Sequence, residues 1–345
     1  MHKLTTRFLC FTVAALAAGT IAAGSAMADK VADFYKGKQL KIVVGYGPSG
    51  GYAVYCRQFA PYWEKYIPGN PNVICQFMPG GGGLKAANYM YNAGPKDGSA
   101  IQMISDYVAV AQLLRPGKVK YDARKMRWIG VLVPANPVVM VWHQAKVTSF
   151  DQLFKDQLVI GLTGPLAQGG LNTSLMNEFL GTKFKRIVGY KSTGKVALLM
   201  EQGEVEATMS SWISLKARKF KEIQEGKFIP IVQVGMTKAR DLPNVPLMRD
   251  FAKDEKTRQV LDITSGAAPF GRSFSVTPGF PDYLLEGLRN AFDEAVKDPE
   301  FLRTSKERHI EIDPAPGKSL DPVLQSVMNT PKDVIELARK AVGAK

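Results

Sequence analysis

One segment near the start of the chain limits its fold more than any other. Residues 40–44 are a short run of Leu, Lys, Ile, Val and Val, residues 45–51 are rich in Gly, Pro and Ser, and a helical pattern begins directly afterwards. A strand, a glycine-rich turn and a helix in this order are typical of a βαβ unit. The turn leaves backbone amides unpaired at a helix N-terminus, where the helix dipole also favours an anion.

The beginning of the chain has the pattern of a secretory signal. A basic start precedes an apolar stretch at residues 8–23, and residues 26–28 (Ala-Met-Ala) form a small-x-small cleavage site. We therefore predict a signal peptide at residues 1–28, cleaved after Ala28, and a mature protein outside the cytoplasm. The apolar stretch is too short for a stable membrane span.

Length and charge narrow the architecture and the partners. The 345 residues, less the 28 of the signal, exceed what one hydrophobic core usually organises, which favours two domains. The formal net charge is +14, but basic residues are interleaved with acids, as at residues 216–222. Such interleaving is typical of a solvated helix face, so we expect no nucleic-acid partner.

Strands and helices alternate along the chain. Such alternation with short turns predicts parallel βαβ units, and the last hundred residues are expected to be mostly helical, including a helix at 281–297. A glycine run at 80–83 is expected to open a helix through residue 90. Further strands are predicted at residues 72–77, 99–104, 128–133, 138–142, 158–162, 186–189, 205–209 and 228–234.

No long linker divides these elements. If there are two domains, the chain therefore crosses between them more than once, and we expect the crossings near residues 128–134 and 234–242. This predicts a discontinuous domain I at 29–130 plus 236–345, with domain II inserted at 131–235. Two parallel sheets would then face each other across a cleft, with glycine-rich loops at the carboxyl ends of their strands.

Two motifs in the first loop suggest catalysis. Residues 45–50 fit G-x-G-x-x-G, but the second strand offers only Gln76 where a dinucleotide site needs an acid. Residues 47–51 fit G-x-S-x-G, so Ser49 is a possible nucleophile, with His143 and His309 as the histidines outside the signal. A secreted serine hydrolase using Ser49 is therefore the alternative function.

Other chemistry is not indicated. The chain has no H-E-x-x-H or C-x-x-C motif, and the run at 80–83 lacks the Gly-Lys-Ser/Thr ending of a phosphate-binding loop. We therefore expect no metal, no cofactor and no enzymatic activity. Outside the signal, Cys56 and Cys75 either pair as a disulfide or are two small buried thiols, and the sequence leaves both open.

The motifs also resemble a known family. Gly-Pro-Ser-Gly-Gly-Tyr at 47–52 is followed by Met-Pro-Gly-Gly-Gly-Gly-Leu-Lys-Ala-Ala-Asn-Tyr at 78–89 and Ala-Gly-Pro-Lys-Asp-Gly at 93–98. In this order and spacing the chain resembles the Bug-type extracytoplasmic solute receptors, the binding proteins of tripartite tricarboxylate transporters. The resemblance spans nearly the whole mature chain and continues at residues 180–184, 189–190, 200–205 and 297–301.

The resemblance implies a fold and a function. The fold is α/β, similar to a type II periplasmic binding protein, with two βαβ domains and a ligand cleft between them. The function is that of a monomeric periplasmic receptor that closes over a small organic acid, as a Venus flytrap does, and delivers it to two integral membrane transporter subunits. The expected ligand is a di- or tricarboxylate or an aromatic carboxylate.

The resemblance also implies site residues. Backbone amides of two facing loops would grip a carboxylate without a buried cation, and glycines would let the backbone approach closely. The alternative is that the glycines only make tight turns and close packing. The ligand-binding candidates are Gly47, Pro48, Ser49, Gly50, Gly51 and Tyr52, then Leu162, Thr163, Gly164 and Pro165, and more weakly Gly80, Gly81, Gly82, Ser210, Ser211 and Trp212.

One position departs from the family pattern. Relatives commonly carry Asp where this chain has Ala53, at the start of the first helix. An Asp there caps backbone amides, so Ala53 either leaves those donors free for a ligand or Ser49 caps the helix instead. We expect Ala53 to permit a different or more negatively charged ligand head.

Overall fold

The computed structural model of the protein describes residues 28–343. The predicted signal peptide lies outside the described residues, except for its last residue. Within the described range, no helix is long and apolar enough to cross a membrane.

Strands and helices alternate along most of this range. The strands are β1 Gln39–Val44, β2 Asn72–Phe77, β3 Ala100–Met103, β4 Arg127–Val131, β5 Pro137–Trp142, β6 Leu158–Leu162, β7 Phe184–Val188, β8 Ala207–Ser211, β9 Phe228–Gln233, β10 Ser273–Val276 and β11 Ala315–Pro316. The helices are α1 (28–35), α2 Gly51–Tyr66, α3 Leu84–Asn92, α4 Val108–Leu114, α5 Gln168–Leu175, α6 Thr193–Glu201, α7 Trp212–Gln224, α8 Glu255–Ser265, α9 Asp282–Ala295, α10 Pro299–Glu307, α11 Leu320–Met328 and α12 Lys332–Ala341.

The strands form two sheets. The first has the order β11-β4-β10-β3-β1-β2 and the second the order β7-β6-β8-β5-β9. The first sheet therefore combines strands from both ends of the chain, whereas the second is built from the middle. The predicted α/β class with two sheets is confirmed. We refer below to the first sheet with its helices as lobe I and to the second as lobe II.

The expectation of parallel sheets is wrong for three strands, β5, β10 and the short β11, which runs antiparallel to β4. Strands β1, β2 and β3 are parallel, and so are β6, β7 and β8, but β10 runs antiparallel to β3 and β4, and β5 runs antiparallel to β8 and β9. Ser273 at the start of β10 pairs with Val131 at the end of β4. Likewise, Pro137 at the start of β5 pairs with Ser211 at the end of β8. Each strand enters its sheet at the edge where the parallel strands end, so it must run in the opposite direction.

Two chain segments are paired where the lobes meet. The Leu132 amide donates to the Arg272 carbonyl and the Arg272 amide donates to the Val133 carbonyl, both at 2.9 Å. These bonds lie just beyond the β4–β10 ladder. They hold the connection into lobe II against the segment that leads into β10.

An aromatic cluster holds α2 on the first sheet. The Phe59 ring lies 5.6 Å from Phe274 of β10, 5.3 Å from Phe292 of α9 and 5.3 Å from Phe301 of α10, and Trp63 packs beside it. All five side chains are buried. Large buried rings contribute strongly to stability. Because the cluster joins α2 to β10, α9 and α10, it holds α2 in its orientation on the first sheet.

A disulfide also ties α2 to the sheet. Cys56 of α2 is bonded to Cys75 of β2, with Cα atoms 6.2 Å apart. Of the two possibilities that the sequence leaves open, the structure therefore has the disulfide. Because it closes a loop between residues 19 apart in sequence, it restricts the unfolded chain.

We predict that removing this bridge lowers stability. A Cys56→Ala/Cys75→Ala variant should lose about 3 kcal/mol of unfolding free energy, the value expected for a loop of this length, in urea titrations of the oxidised protein. Reducing agent should lower the midpoint of the native protein but not that of the variant. Equal midpoints for native protein and variant would show that the bridge contributes nothing.

Candidate functional site

Four helices begin around one cavity between the lobes. Gly51 opens α2 on lobe I, whereas Gln168 opens α5 and Thr193 opens α6 on lobe II, and Ser214 lies in the first turn of α7. The cavity volume is about 20 Å³, room for little more than one water molecule, so the lobes are closed on each other here. The lining residues are Tyr46, Gly50, Gly51, Tyr52, Thr163, Gln168, Thr193, Met209, Ser210, Ser214 and Arg272.

The helix N-termini give the cavity a positive potential. No side chain caps α2, whose cap residue is Gly50, or α5, whose cap residue is Ala167. By contrast, Ser192 caps α6 by accepting from the Lys195 amide. Each helix end carries the equivalent of about half a positive charge, so uncapped ends that share a cavity favour an anion.

The structure shows whether Ser49 caps α2 in place of the Asp that relatives carry at position 53. The Ser49 hydroxyl lies 2.6 Å from the Ser192 hydroxyl of lobe II and does not cap α2. Ala53 is buried and contributes no side-chain acceptor. The possibility that Ser49 replaces the missing Asp as a cap is therefore wrong, and the first-turn amides of α2 have no side-chain acceptor.

Arg272 adds a full positive charge to the cavity. It is 1% exposed, and its guanidinium lies 4.0 Å from the centre of the Tyr52 ring. Its hydrogen-bond acceptors are the hydroxyls of Ser211 and Ser214 and the Gly271 carbonyl, and its Nε has no partner among the described residues. The expected grip without a buried cation is therefore contradicted: a guanidinium lines this cavity.

Arg218 contacts two of the residues that line the cavity, Ser214 and Thr193. Its Nε donates to the Ser214 carbonyl at 3.0 Å and its Nη2 to the Thr193 hydroxyl at 3.2 Å. Burial, and then the positive charge of Arg272, lower the pKa of Arg218 to about 10. Two guanidiniums thus repel each other beside the cavity.

Asp106 is a buried acid that interacts electrostatically with Arg272. It is 1% exposed, its backbone amide donates to the Tyr52 hydroxyl at 2.9 Å, and its Oδ2 has no partner within the described residues. Burial raises the pKa of the Asp106 carboxyl to about 6, and Arg272 partly opposes that rise. Desolvation therefore outweighs the attraction of a guanidinium that Asp106 does not hydrogen-bond.

The lobes touch at positions where the chain has little or no side chain. The Gly47 amide donates to the Lys191 carbonyl of lobe II at 3.0 Å. A Cβ on Gly51 would lie 1.8 Å from the Ser214 hydroxyl, and one on Gly194 would lie 1.9 Å from the Ser49 carbonyl. These glycines therefore permit a contact between lobes that any larger residue would obstruct.

The second glycine run makes another contact between lobes. Gly81 and Gly82 have positive φ values of 57° and 69°, which favour glycine. A Cβ on Gly164 of lobe II would lie 2.7 Å from the Gly82 amide nitrogen. The Tyr46 hydroxyl donates to the Gly82 carbonyl at 2.9 Å, so the two glycine-rich loops of lobe I are connected.

The predicted site residues fall into three groups. Gly50, Gly51, Tyr52, Thr163 and Ser210 line the cavity. Gly47, Ser49, Gly81, Gly82 and Gly164 lie at contacts between the lobes, and buried Ser211 contacts Arg272. The remaining candidates do not line the cavity: Pro48, Gly80 and Pro165 are exposed, Leu162 is buried in β6, and Trp212 faces outward.

Trp212 lies on an open groove on the other side of the hinge. Its indole N–H donates to Asp241 at 2.8 Å, and Lys216 pairs with Asp241 at 2.5 Å and with Glu311 at 2.6 Å. This groove is larger than the central cavity, at about 450 Å³. Its lining includes three acids, Asp241, Glu311 and Asp313, beside Lys238 and Arg240, so it is less suited to an anion than the central cavity.

Sequence reasoning missed six of the cavity residues. Arg272 is the most important of them, and it had a signal: it is a lone charge between the apolar run 267–270 and Ser273-Phe274-Ser275-Val276. A charge inside such a segment is buried only with a partner or a function. The other missed residues are Tyr46, Gln168, Thr193, Met209 and Ser214.

The geometry does not assemble a serine nucleophile. The partner of the Ser49 hydroxyl is Ser192, and no hydrogen bond joins Ser49 to a histidine within residues 28–343. The His309 ring stacks on Phe220 at 3.6 Å, and His143 lies beside Trp142. In the same range, no cluster of three or more His, Cys, Asp or Glu side chains could hold a metal ion.

Comparison with known proteins identifies the fold. No family model matches the chain, and no curated protein matches it. Among solved structures, the periplasmic binding protein BugD is similar with a TM-score of 0.70 at 18% identity, over 90% of this chain and 99% of its own. A protein of R. palustris with adipate has a TM-score of 0.66 at 16% identity, over 89% of this chain and 97% of its own.

A third structure agrees with these two. MatC from Rhodopseudomonas palustris, with bound malate, has a TM-score of 0.66 at 18% identity, over 88% of this chain and 99% of its own. At these identities the likeness establishes the fold, which is that of a two-domain periplasmic binding protein. The resemblance to Bug-type proteins that the motifs indicate is thereby confirmed at the level of structure.

We predict that the contact between Ser49 and Ser192 reports closure. A Ser49→Cys/Ser192→Cys variant should form a cross-link under mild oxidation, because the two hydroxyls are 2.6 Å apart. Adding Gly194→Ala should slow cross-linking, since its Cβ would collide with the Ser49 carbonyl, whereas Gly117→Ala, with open space around it, should not. Equal rates in the two glycine variants, measured by mass spectrometry, would contradict the closed contact.

We also predict that Asp106 destabilises the native protein at neutral pH. The pKa of its carboxyl is about 6 in the folded protein and 3.8 ordinarily. The stabilisation of the folded state by the protonated carboxyl is therefore complete below pH 3.8 and is lost as pH rises through 6. Relative to Asp106→Asn, the native protein should lose about 2 kcal/mol of unfolding free energy between roughly pH 4 and pH 8. Parallel urea titrations of the two proteins measure this difference, and identical pH profiles would refute it.

Proposed function

We propose that this protein is a Bug-type extracytoplasmic solute receptor of the periplasm. It captures a small organic acid, a di- or tricarboxylate or an aromatic carboxylate, by closure of its two lobes. It then delivers the acid to the two integral membrane subunits of a tripartite tricarboxylate transporter. In this proposal a signal peptide cleaved after Ala28 exports the chain, which acts as a monomer and catalyses no reaction.

One observation carries the proposal: uncapped helix N-termini from both lobes and a buried guanidinium surround one cavity. Gly51 of α2 and Gln168 of α5 open the uncapped helices, and Arg272 supplies the guanidinium. An anion in this cavity would accept hydrogen bonds from both lobes at once. A carboxylate has the charge for this, and the solved relatives with malate and adipate carry carboxylates.

Closure follows from the same arrangement. A ligand shifts a conformational equilibrium only by its differential affinity for the two states. The closed lobes place the first turn of α2 and the first residues of α5 and α6 on one cavity, so only the closed state offers a ligand all of these donors. When the lobes are open, a ligand could bind the helix N-terminal donors of only one lobe at a time. The ligand therefore stabilises the closed state.

The boundaries of the two domains belong to this proposal. We place domain I at 29–130 plus 236–345 and domain II at 131–235. In support, the strands of the first sheet lie within the first two ranges, apart from Val131, and those of the second sheet lie within the third. The segments at 132–136 and near 234 then act as hinges.

The test is a thermal-shift screen of the chain from Asp29 onward. Aliphatic and aromatic mono-, di- and tricarboxylates are compared at about a hundredfold excess over the dissociation constant. A bound acid should then add about 2.7 kcal/mol to the unfolding free energy, or a few degrees for a chain of this length. Small-angle scattering with the same acid should show a more compact particle.

Ala53→Asp provides the matched variant for this screen. A carboxylate at the start of α2 would compete with the ligand for the same first-turn amides. We expect it to weaken binding or to change which acid binds. No shift with any acid in the native protein would overturn the proposed function, and equal affinities of the native protein and the Ala53→Asp variant would refute the role given to this position.

A further inference from the structure

The two arginines beside the cavity have no acid to neutralise them. Among the described residues, neither Arg272 nor Arg218 forms an ion pair, although seventeen such pairs occur elsewhere. A buried charge without a counterion is costly. The buried Asp106 carboxyl accepts from the Ser105 hydroxyl, and its backbone amide donates to the Tyr52 hydroxyl, but it forms no ion pair with either guanidinium.

The acceptors that these arginines do have are neutral. Arg272 donates to the Ser211 and Ser214 hydroxyls, and Arg218 donates to the Ser214 carbonyl and the Thr193 hydroxyl. Both arginines therefore contact Ser214, which lines the cavity with Thr193. Like charges held this close are unfavourable unless an anion lies between or beside them.

Two aromatic rings also pack against the Arg272 guanidinium. Its guanidinium packs 4.0 Å from the Tyr52 ring and 5.6 Å from the Tyr55 ring, and both rings belong to α2. Its backbone pairs with Val133 at the hinge, and its side chain reaches Ser211 of lobe II. The guanidinium is therefore held in place by both lobes while its Nε stays unpaired within the described part of the chain.

We propose that Arg272 and Arg218 form a second oxyanion subsite, which binds a second anionic group of the ligand. This inference rests on the proposed function, in which helix N-termini hold the first carboxylate. Guanidiniums offer several donors in a planar fork that matches an oxyanion. The ligand class is thus a short organic dianion, whose second group is a carboxylate, sulfonate or phosphonate.

The subsite also sets selectivity. A neutral amide there would offer one acceptor oxygen instead of two and no negative charge, so the buried guanidiniums would be only partly satisfied. A monocarboxylate of the same shape should therefore bind more weakly than the dianion. Arg272 is the principal specificity-determining residue, because its side chain lines the cavity, and Arg218 supports it from behind Thr193 and Ser214.

The experiment compares each dianion with its own half-amide. Malonate, succinate, glutarate and adipate are titrated calorimetrically against the whole mature chain, beside the corresponding monoamides. The native protein should bind the best dianion roughly 10- to 100-fold more tightly than its half-amide. 3-Sulfopropionate and 3-phosphonopropionate in the same series identify which oxyanion the subsite accepts best.

Arg272→Gln should abolish this preference. We expect it to weaken the dianion by the same factor and to weaken the half-amide less, since only the dianion makes an ionic contact at the subsite. Arg272→Lys should restore part of the preference, because it keeps the charge but lacks the fork. The control is Arg289→Gln, a mostly buried arginine that contacts the Trp128 carbonyl and does not line the cavity.

Arg218→Gln keeps the test decisive if Arg272→Gln does not fold, as checked by circular dichroism. The Arg218→Gln variant should reduce the preference for the dianion over its half-amide to a smaller extent. Equal affinities of dianion and half-amide in the native protein, or equal losses for both ligands in the variants, would overturn the subsite and leave the receptor intact. Failure of every carboxylate to bind the native protein would overturn the proposed function itself.

Discussion

The architecture depends on the backbone pairing of two segments beside the first sheet. Leu132 and Val133 lead the chain out of this sheet, and Arg272 leads into its strand β10, with reciprocal hydrogen bonds of 2.9 Å between them. This pairing brings the carboxyl ends of the parallel strands of both sheets to one place. Helices that follow those strands must then begin there, so the donors of four helix N-termini share a cavity.

The same pairing explains the electrostatics of the site. Arg272 is paired through its backbone with the hinge segment at Leu132 and Val133, and its side chain lines the cavity. Neutral hydroxyls accept from it, and Asp106 attracts it without forming an ion pair within the described residues. A site of this kind stabilises closure best when a ligand supplies the missing negative charge.

Local pattern predicted much of the fold and part of the site. Strands expected at 72–77 and 158–162 are β2 and β6 to the residue, because their apolar β-branched runs end in clear turn signals. Strand β10 was missed, since Ser273-Phe274-Ser275-Val276 is short and lies next to a charge. Its place in the middle of the first sheet comes from pairing with β3 and β4, which no local pattern encodes.

The sequence by itself determined the α/β class, the glycine-rich loops and the position at which α2 begins, because these depend on residues close together in the chain. Only the tertiary structure decided that Gly51 meets Ser214, that Trp212 faces away from the cavity, and that Arg272 enters it. Each of these depends on contacts between residues far apart in sequence, whose positions follow from how the two sheets are joined.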